Sequence, residues 1–113
     1  MQLTTIPLMS ERRESDLILD GGLEVEWDPD KADEVWDRHG VTFEEAATIY
    51  LDPLAATAYD EEHSDEEDRW ATIGRSERDR LLVAVHTDRG SRMRLITARE
   101  AEPDEIREYE QGN

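Results

Sequence analysis

Apolar residues recur along the chain with two different periods, and these periods predict a mixture of strands and helices. Residues 17–19 and 23–27 are short, largely apolar segments on either side of Asp20-Gly21-Gly22. Because a glycine pair permits the positive φ angles of a tight turn, the two segments are predicted to form a β-hairpin. Residues 1–16 have no clear period and are expected to be a flexible N-terminal arm, followed by a single domain over residues 17–113.

A helix is predicted directly after the hairpin. Asp28 can accept the free amide hydrogens of a first helical turn, and Pro29 has no amide hydrogen to leave unpaired there. The helix is expected to run to His39 and to end at Gly40, a residue that readily adopts the left-handed conformation of a C-terminal stop. Its apolar side is expected to combine three residues, Ala32, Val35 and Trp36.

The rest of the chain predicts one more short helix, four strands and a closing helix. Residues 42–45, Thr-Phe-Glu-Glu, are a capping box that opens a second helix ending at Asp52-Pro53. Strands are predicted at residues 54–59, 69–76, 80–88 and 91–98, and a helix at residues 103–111. Because the last three strands are joined by connections of hairpin length, neighbouring strands should be antiparallel. The predicted fold class is α+β: an antiparallel β-meander sheet with two N-terminal helices and one C-terminal helix.

Composition excludes several kinds of protein. The chain has no cysteine, which removes disulfides, thiolate metal ligands and cysteine nucleophiles. It has no run of about 18 apolar residues and no signal-peptide pattern, so a cytoplasmic protein without membrane contact is expected. The acidic loop 60–68 lacks the ligand spacing of a calcium loop or a zinc helix, and no glycine-rich phosphate loop occurs. No metal or other cofactor is therefore expected.

Charge is distributed very unevenly. The formal net charge is -17, with thirty acids, twelve arginines and a single lysine, yet residues 69–99 hold eight arginines against three acids, a net charge of +5. Planar guanidinium groups suit phosphate, so this segment indicates a phosphate-bearing ligand. The acidity elsewhere has three open explanations: adaptation to high salt, an arginine-rich genome combined with an acidic partner surface, or mimicry of nucleic acid.

Separate motifs distributed along residues 23–110 resemble the BrnT family of toxins, the ribonuclease halves of type II toxin–antitoxin pairs. The motifs occur in the family's order and spacing: Glu26-Trp27-Asp28, Lys31, His39-Gly40-Val41-Thr42-Phe43-Glu44-Glu45-Ala46, Asp52-Pro53, His63-Ser64, Glu67, Arg69, Ile73-Gly74, Leu82-Val83 and Ala98-Arg99. The resemblance implies a RelE-like α+β fold, metal-independent RNA cleavage that inhibits growth, and neutralisation by a BrnA-like antitoxin. Operator DNA would be bound only through that antitoxin.

Two functions remain open from the sequence. The first is an RNA endonuclease whose active surface is the arginine-bearing sheet. The alternative is a non-catalytic module that binds the antitoxin and acts as co-repressor of its operon, which the acidity of the chain favours because it repels RNA at long range.

Metal-free RNA cleavage requires a base near the 2′-hydroxyl, cations around the phosphate and an acid for the departing 5′-oxygen. Arg69 and Arg99, which belong to the family motifs, are the expected phosphate-binding residues. His39, Glu67 and Tyr109 are the expected proton carriers, and further ionisable groups of the right kind are His63, His86 and Glu105.

Strand alternation divides the remaining arginines between faces. Leu81, Val83, Val85 and Thr87 are expected to face the core, with Arg80 and His86 on the opposite side. Arg92 and Arg94 share a face with Ile96, and Arg69 and Arg75 share one with Ile73. If these faces coincide, the RNA-binding surface would include Arg75, Arg80, Arg92 and Arg94. The competing possibility is that strand arginines pair with acids on neighbouring strands, that His39 complements its helix dipole and that Tyr109 only packs.

Overall fold

The computed structural model describes residues 15–112, which form a mixed sheet and three α-helices. The strands are β1 Ser15–Ile18, β2 Glu24–Trp27, β3 Ala56–Tyr59, β4 Trp70–Arg75, β5 Leu81–Arg89 and β6 Arg92–Glu100. The helices are α1 Pro29–His39, α2 Phe43–Ala47 and α3 Pro103–Gln111, and short 3-10 turns occupy Thr48–Leu51 and Glu61–His63. Most of the predicted arm lies outside the described residues, although β1 already begins at Ser15. Within the described part of the chain, no helix has the length and hydrophobicity to cross a bilayer.

The six strands lie in the order β1-β2-β6-β5-β4-β3. The predicted hairpin of β1 and β2 and the predicted antiparallel meander from β4 to β6 are both confirmed. In addition, β3 pairs with β4 in antiparallel orientation. The expectation of a purely antiparallel sheet is wrong, because β2 pairs with β6 in parallel, with Val25 opposite Met93. Parallel neighbours need a long crossover. Here that connection contains α1, α2 and three strands, so local hairpin lengths could not indicate it.

The first helix begins and ends as its end signals predict. The Asp28 carboxylate accepts a hydrogen bond of 2.9 Å from the amide of Asp30, and Gly40 adopts φ of 65° at the C-terminus. Val35 is buried, with 2% of its surface exposed, and Ala32 packs against the same core. Trp36 is 56% exposed, so the prediction that it belongs to the core-facing apolar side of the helix is wrong. One residue beyond Val35 is about 100° further around the helix, which turns Trp36 toward solvent.

One face of the sheet, here called the helix face, is covered by α1 and α2; the opposite side is called the cleft face. Leu82 and Ala84 of β5 are fully buried on the helix face, and His86 lies on the same side against Tyr50. The prediction that residues 81, 83, 85 and 87 face the core is therefore wrong. Both sides of β5 are apolar, so alternation separated the two sides without indicating which one the helices cover.

A β-bulge in β6 changes the alternation of that strand. Val85 pairs with Thr97, whereas the next residue, His86, pairs with Leu95, so Ile96 is an extra residue. Leu95 and Ala98 consequently both face the helix core, although three positions separate them. Such an extra residue shifts every later side chain to the other side.

An ion pair with the buried carboxylate of Glu45 fixes Arg80 on the helix face. The Glu45 carboxylate accepts hydrogen bonds from Arg80 Nη2 at 2.6 Å, Arg80 Nε at 3.0 Å and the Ser76 hydroxyl at 2.7 Å. Arg80 also donates to a Glu100 carboxylate oxygen and to the carbonyl oxygen of Gly40. Arg80 thus joins α2 to the start of β5, on the side opposite the other predicted RNA-binding arginines.

The Glu45–Arg80 pair should make stability depend on pH. Hydrogen bonding from Arg80 outweighs burial and holds the pKa of Glu45 below its ordinary value of 4.5. Because this pKa is lower in the folded than in the unfolded chain, the carboxylate stabilises the fold above the ordinary value, and its contribution is lost as pH falls through the lowered one.

Glu45→Gln is expected to lower the free energy of unfolding by about 2 kcal/mol at neutral pH, since it removes the charged partner of Arg80, which keeps its contacts with Glu100 and Gly40. It should also flatten the decline in stability below pH 4.5 relative to the unaltered protein. Urea unfolding followed by circular dichroism at several pH values measures both effects. Glu44→Gln, at an exposed neighbouring position, is the control; an equal loss in both variants would contradict the prediction.

Candidate functional site

A cleft of about 480 Å³ lies on the cleft face of the sheet, between loop 60–68 and the start of α3. Five aliphatic side chains from four strands contribute to its lining, Ala58, Ala71, Val83, Val85 and Ile96. Ionisable residues also line it, namely Asp60, His63, Arg69, Arg99 and Glu105. The cleft therefore combines an apolar surface with charged groups, and it includes both arginines expected to bind phosphate.

Arg99 extends from β6 into the cleft, where it forms an ion pair with a carboxylate of α3. Its Nη1 and Nη2 donate to the two oxygens of Glu105, both at 2.8 Å, and Nη1 also donates to the Glu100 carbonyl oxygen at 3.1 Å. The hydrogen bonds that Arg99 donates to Glu105 lower the pKa of Glu105 and raise the pKa of Arg99. Both groups are therefore held in their charged forms.

Arg69 lies at the entrance of β4 and is less fully paired. Its Nη2 is 3.7 Å from Glu67, a distance beyond a direct hydrogen bond, and its Nε is buried without a partner within residues 15–112. Glu67 also approaches Arg89, at 3.8 Å. The Nε–H is enclosed by the protein, so an oxygen ligand in the cleft would meet the exposed third of the Arg69 side chain rather than this buried group.

His63 faces the cleft beside Arg69 and is oriented by an aspartate. The Asp60 carboxylate lies 3.0 Å from His63 Nδ1. A carboxylate only accepts hydrogen bonds, so Nδ1 must carry the proton, and in the neutral ring Nε2 is left as a proton acceptor. Ser64 stabilises this arrangement, because its hydroxyl donates to the Asp60 carbonyl oxygen at 2.6 Å and accepts from the Arg69 amide at 2.9 Å.

The hydroxyl of Tyr109 is hydrogen-bonded to a residue outside the cleft lining. Its hydroxyl donates to Asp52 at 2.6 Å, which together with burial raises the pKa of the phenol. Asp52 also accepts from the Arg75 amide at 2.8 Å, and the Arg75 guanidinium lies 5.9 Å from the centre of the Tyr109 ring. These contacts attach α3 to the end of β4.

The two other candidate histidines belong to the opposite side of the sheet. His39 is the exposed last residue of α1, whose buried side packs on the helix face. His86 is buried on the helix face, where its Nδ1 lies 3.0 Å from the hydroxyl of Tyr50, and burial lowers its pKa. The cleft lining includes neither residue.

The remaining predicted RNA-binding arginines, Arg92 and Arg94, lie on the cleft face but outside the cleft, paired with acids of β1 and β2. Arg94 donates to Glu26 at 3.0 Å, and Arg92 donates to Glu24, Asp16 and Glu26. Burial raises the pKa of Glu26, but the two arginines outweigh it and hold that pKa below its ordinary value. Cross-strand neutralisation, the competing possibility from the sequence, accounts for this part of the sheet.

The structure thus brings Arg69 and Arg99 together, with Glu67 beside Arg69, and separates His39 and Tyr109 from them. His63 and Glu105, which the sequence offered only as further ionisable residues, are part of the cleft. Two signals in the sequence could have indicated His63: the motif His63-Ser64, and the three-residue spacing that places Asp60 and His63 on one turn. Within residues 15–112, no cluster of three or more histidine, aspartate or glutamate side chains is placed to hold a metal ion.

Comparisons with known proteins agree with the resemblance seen in the sequence motifs. The fold is similar to the 1.1 Å crystal structure of the ribonuclease toxin BrnT from Brucella abortus, with a TM-score of 0.50 and 19% sequence identity over 67% of this chain and 92% of that chain. No curated protein matches the chain in sequence. The sequence model of the BrnT ribonuclease toxins matches residues 27–105, which span the whole cleft. The chain therefore belongs to the family of BrnT ribonuclease toxins of type II toxin–antitoxin systems.

Proposed function

We propose that the protein is a metal-independent RNA endonuclease that inhibits growth, that the cleft is its active site, and that a BrnA-like antitoxin neutralises it. In this proposal residues 17–113 act as one domain in the cytoplasm, with a fold related to that of RelE toxins, and operator DNA is reached only through the antitoxin. The observation that carries it is the presence of Arg69, Arg99 and the Asp60-oriented His63 in one cleft.

The two arginines are suited to hold an RNA phosphate. Arg69 lines the cleft with a third of its side chain exposed and only a 3.7 Å contact to Glu67, and the Nε–H of Arg99 is not used by Glu105 or Glu100. Guanidinium groups stabilise the additional negative charge that develops on a phosphate as a new bond to phosphorus forms. Fixed protein cations can thus supply the electrostatic stabilisation that this step needs.

Among the candidate proton carriers, the geometry favours His63. Its Nε2 can take the proton of the 2′-hydroxyl while Asp60 stabilises the resulting imidazolium. The 2′-oxygen then bonds to phosphorus, the bond from phosphorus to the 5′-oxygen breaks, and the 5′-oxygen takes up a proton from water. The His63 imidazolium returns its proton to the solvent. Glu67 remains a second candidate in the same region, whereas the hydrogen bond of Tyr109 to Asp52 and the position of His39 at the end of α1 favour structural roles.

Arg69→Gln and Arg99→Gln are each expected to lower the rate of RNA cleavage in excess chelator by about ten- to a hundredfold, because each removes a charged donor to the phosphate. Single-turnover cleavage of an end-labelled RNA measures the rate. Arg107→Gln is a matched control, since Arg107 is exposed on α3 and pairs only with Asp104 among the described residues. RNA left intact by the unaltered protein, both at low salt and at about 1 M salt where charge repulsion is screened, would contradict the proposal.

Replacing two histidines in turn tests whether the active site is the cleft or lies on the other side of the sheet. His63→Gln is expected to lower cleavage by about a hundredfold, because it eliminates the general base. His39→Gln should have a much smaller effect, since the cleft lining does not include His39. If His39→Gln instead caused the larger loss, the assignment of the active site to this cleft would be wrong.

The second candidate function is the non-catalytic co-repressor. It is favoured by the paired state of the sheet arginines, including the bonding of Arg99 to both oxygens of Glu105, because paired arginines attract RNA less strongly. The same face could then serve antitoxin binding alone.

Controlled expression distinguishes the two functions. The nuclease is expected to stop growth, and Arg69→Gln combined with Arg99→Gln should restore growth without loss of protein. A chain that leaves growth unaffected, yet tightens antitoxin binding to operator DNA in a gel-shift titration, would support the co-repressor and overturn the nuclease.

A further inference from the structure

Glu105 is the residue through which α3 enters the cleft. Besides binding Arg99, its Oε1 accepts a hydrogen bond of 2.8 Å from the Glu102 amide, which closes the capping box at the start of the helix. The other half of α3 is held by the 2.6 Å hydrogen bond from Tyr109 to Asp52. The short helix that carries Glu105 is therefore held near both of its ends.

The pattern of donors on Arg99 leaves one edge of the guanidinium for a ligand. Nη1 and Nη2 both donate to Glu105, and the second hydrogen of Nη1 is directed to the Glu100 carbonyl oxygen. Within residues 15–112, the Nε–H and the second Nη2–H have no acceptor. These two bonds lie side by side along one edge of the planar group, in the arrangement that binds two oxygens of a phosphate.

We propose that Glu105 is a positioning residue for RNA cleavage: by holding the end of the Arg99 guanidinium, it presents the Nε–H and Nη2–H edge to the phosphate of the substrate. The inference rests on the proposed function and adds to it a residue that acts through Arg99. Glu105 and the phosphate occupy different edges of Arg99, so both are bound in the transition state.

We expect Glu105 to act by orienting Arg99 and not by attracting RNA. An unrestrained arginine loses side-chain entropy when it binds a phosphate, whereas Arg99 has already been ordered by Glu105. The negative charge of Glu105 reduces the attraction of the cleft for RNA, so its contribution is expected in the chemical step rather than in substrate binding.

Glu105→Gln tests this separation. Glutamine keeps an oxygen for the Glu102 amide but places an NH₂ group against one terminal nitrogen of Arg99, which should release the guanidinium. The expected result is a fall in kcat of about tenfold with KM unchanged or lower. Glu105→Asp, which keeps the charge but shortens the side chain, should also lower kcat. Glu110→Gln, which removes one exposed acid from the same helix, is the matched control.

A spectroscopic readout makes the result independent of cleavage. In protein labelled with ¹⁵N-arginine, the Arg99 Nε–H signal should shift when a 2′-O-methyl RNA pentanucleotide, which cannot be cleaved, is added. The shift should be lost in Glu105→Gln and retained in Glu110→Gln.

A rise in kcat in Glu105→Gln would overturn the inference, because it would mean that Glu105 competes with phosphate for Arg99. Unchanged kcat together with an unchanged Arg99 response would overturn it as well. If the unaltered protein does not cleave RNA, the proposed function fails, but the Arg99 response in the two variants still decides whether Glu105 orients this arginine. If thermal melting shows that Glu105→Gln unfolds, Glu105→Asp provides the same comparison.

Discussion

The cleft depends on one β-bulge, the extra residue Ile96 in β6. In a regular strand Arg94 and Arg99 would lie on opposite faces, because they are separated by an odd number of positions. With the bulge, Ile96 and Thr97 both line the cleft, and Arg99 comes to the same side as Arg94 and Arg69. The same irregularity keeps both Leu95 and Ala98 in the helix core. The inserted residue thus allows β6 to contribute side chains both to the hydrophobic core and to the charged cleft.

Electrostatics limits where a phosphate could bind. Although residues 69–99 carry a net charge of +5, the arginines outside the cleft are largely matched with carboxylates from other segments, as Arg80 is with Glu45 and Arg94 with Glu26. A positive segment of sequence is therefore not a uniformly positive surface. What distinguishes the cleft is donor capacity that carboxylates leave unused, namely the loosely paired guanidinium of Arg69 and one edge of Arg99, next to a histidine whose tautomer Asp60 determines.

Local signals predicted much of the fold, whereas most of the errors, apart from the exposure of Trp36, concern relationships between distant segments. The helix ends at Asp28 and Gly40 depend on a cap and a left-handed residue that lie next to each other in the chain, and they were recognisable there. The side of β5 that faces the core was misassigned because Leu82 and Val83 are equally apolar. For the site, motif spacing pointed to Arg69 and Arg99, but alternation could not place them together without the register shift at Ile96.

By itself, the sequence determined the order of the helices and strands, the family and the two arginines at the centre of the proposal, because these follow from short-range chemistry and from motif order. Only the tertiary structure decided that His63 lies in the cleft, that Tyr109 anchors α3 through Asp52 and that Glu105 holds Arg99. The physical reason is that hydrogen bonds and ion pairs depend on distances of a few ångströms between groups far apart in the chain. Those distances are set by strand register, by the parallel pairing of β2 with β6 and by the bulge.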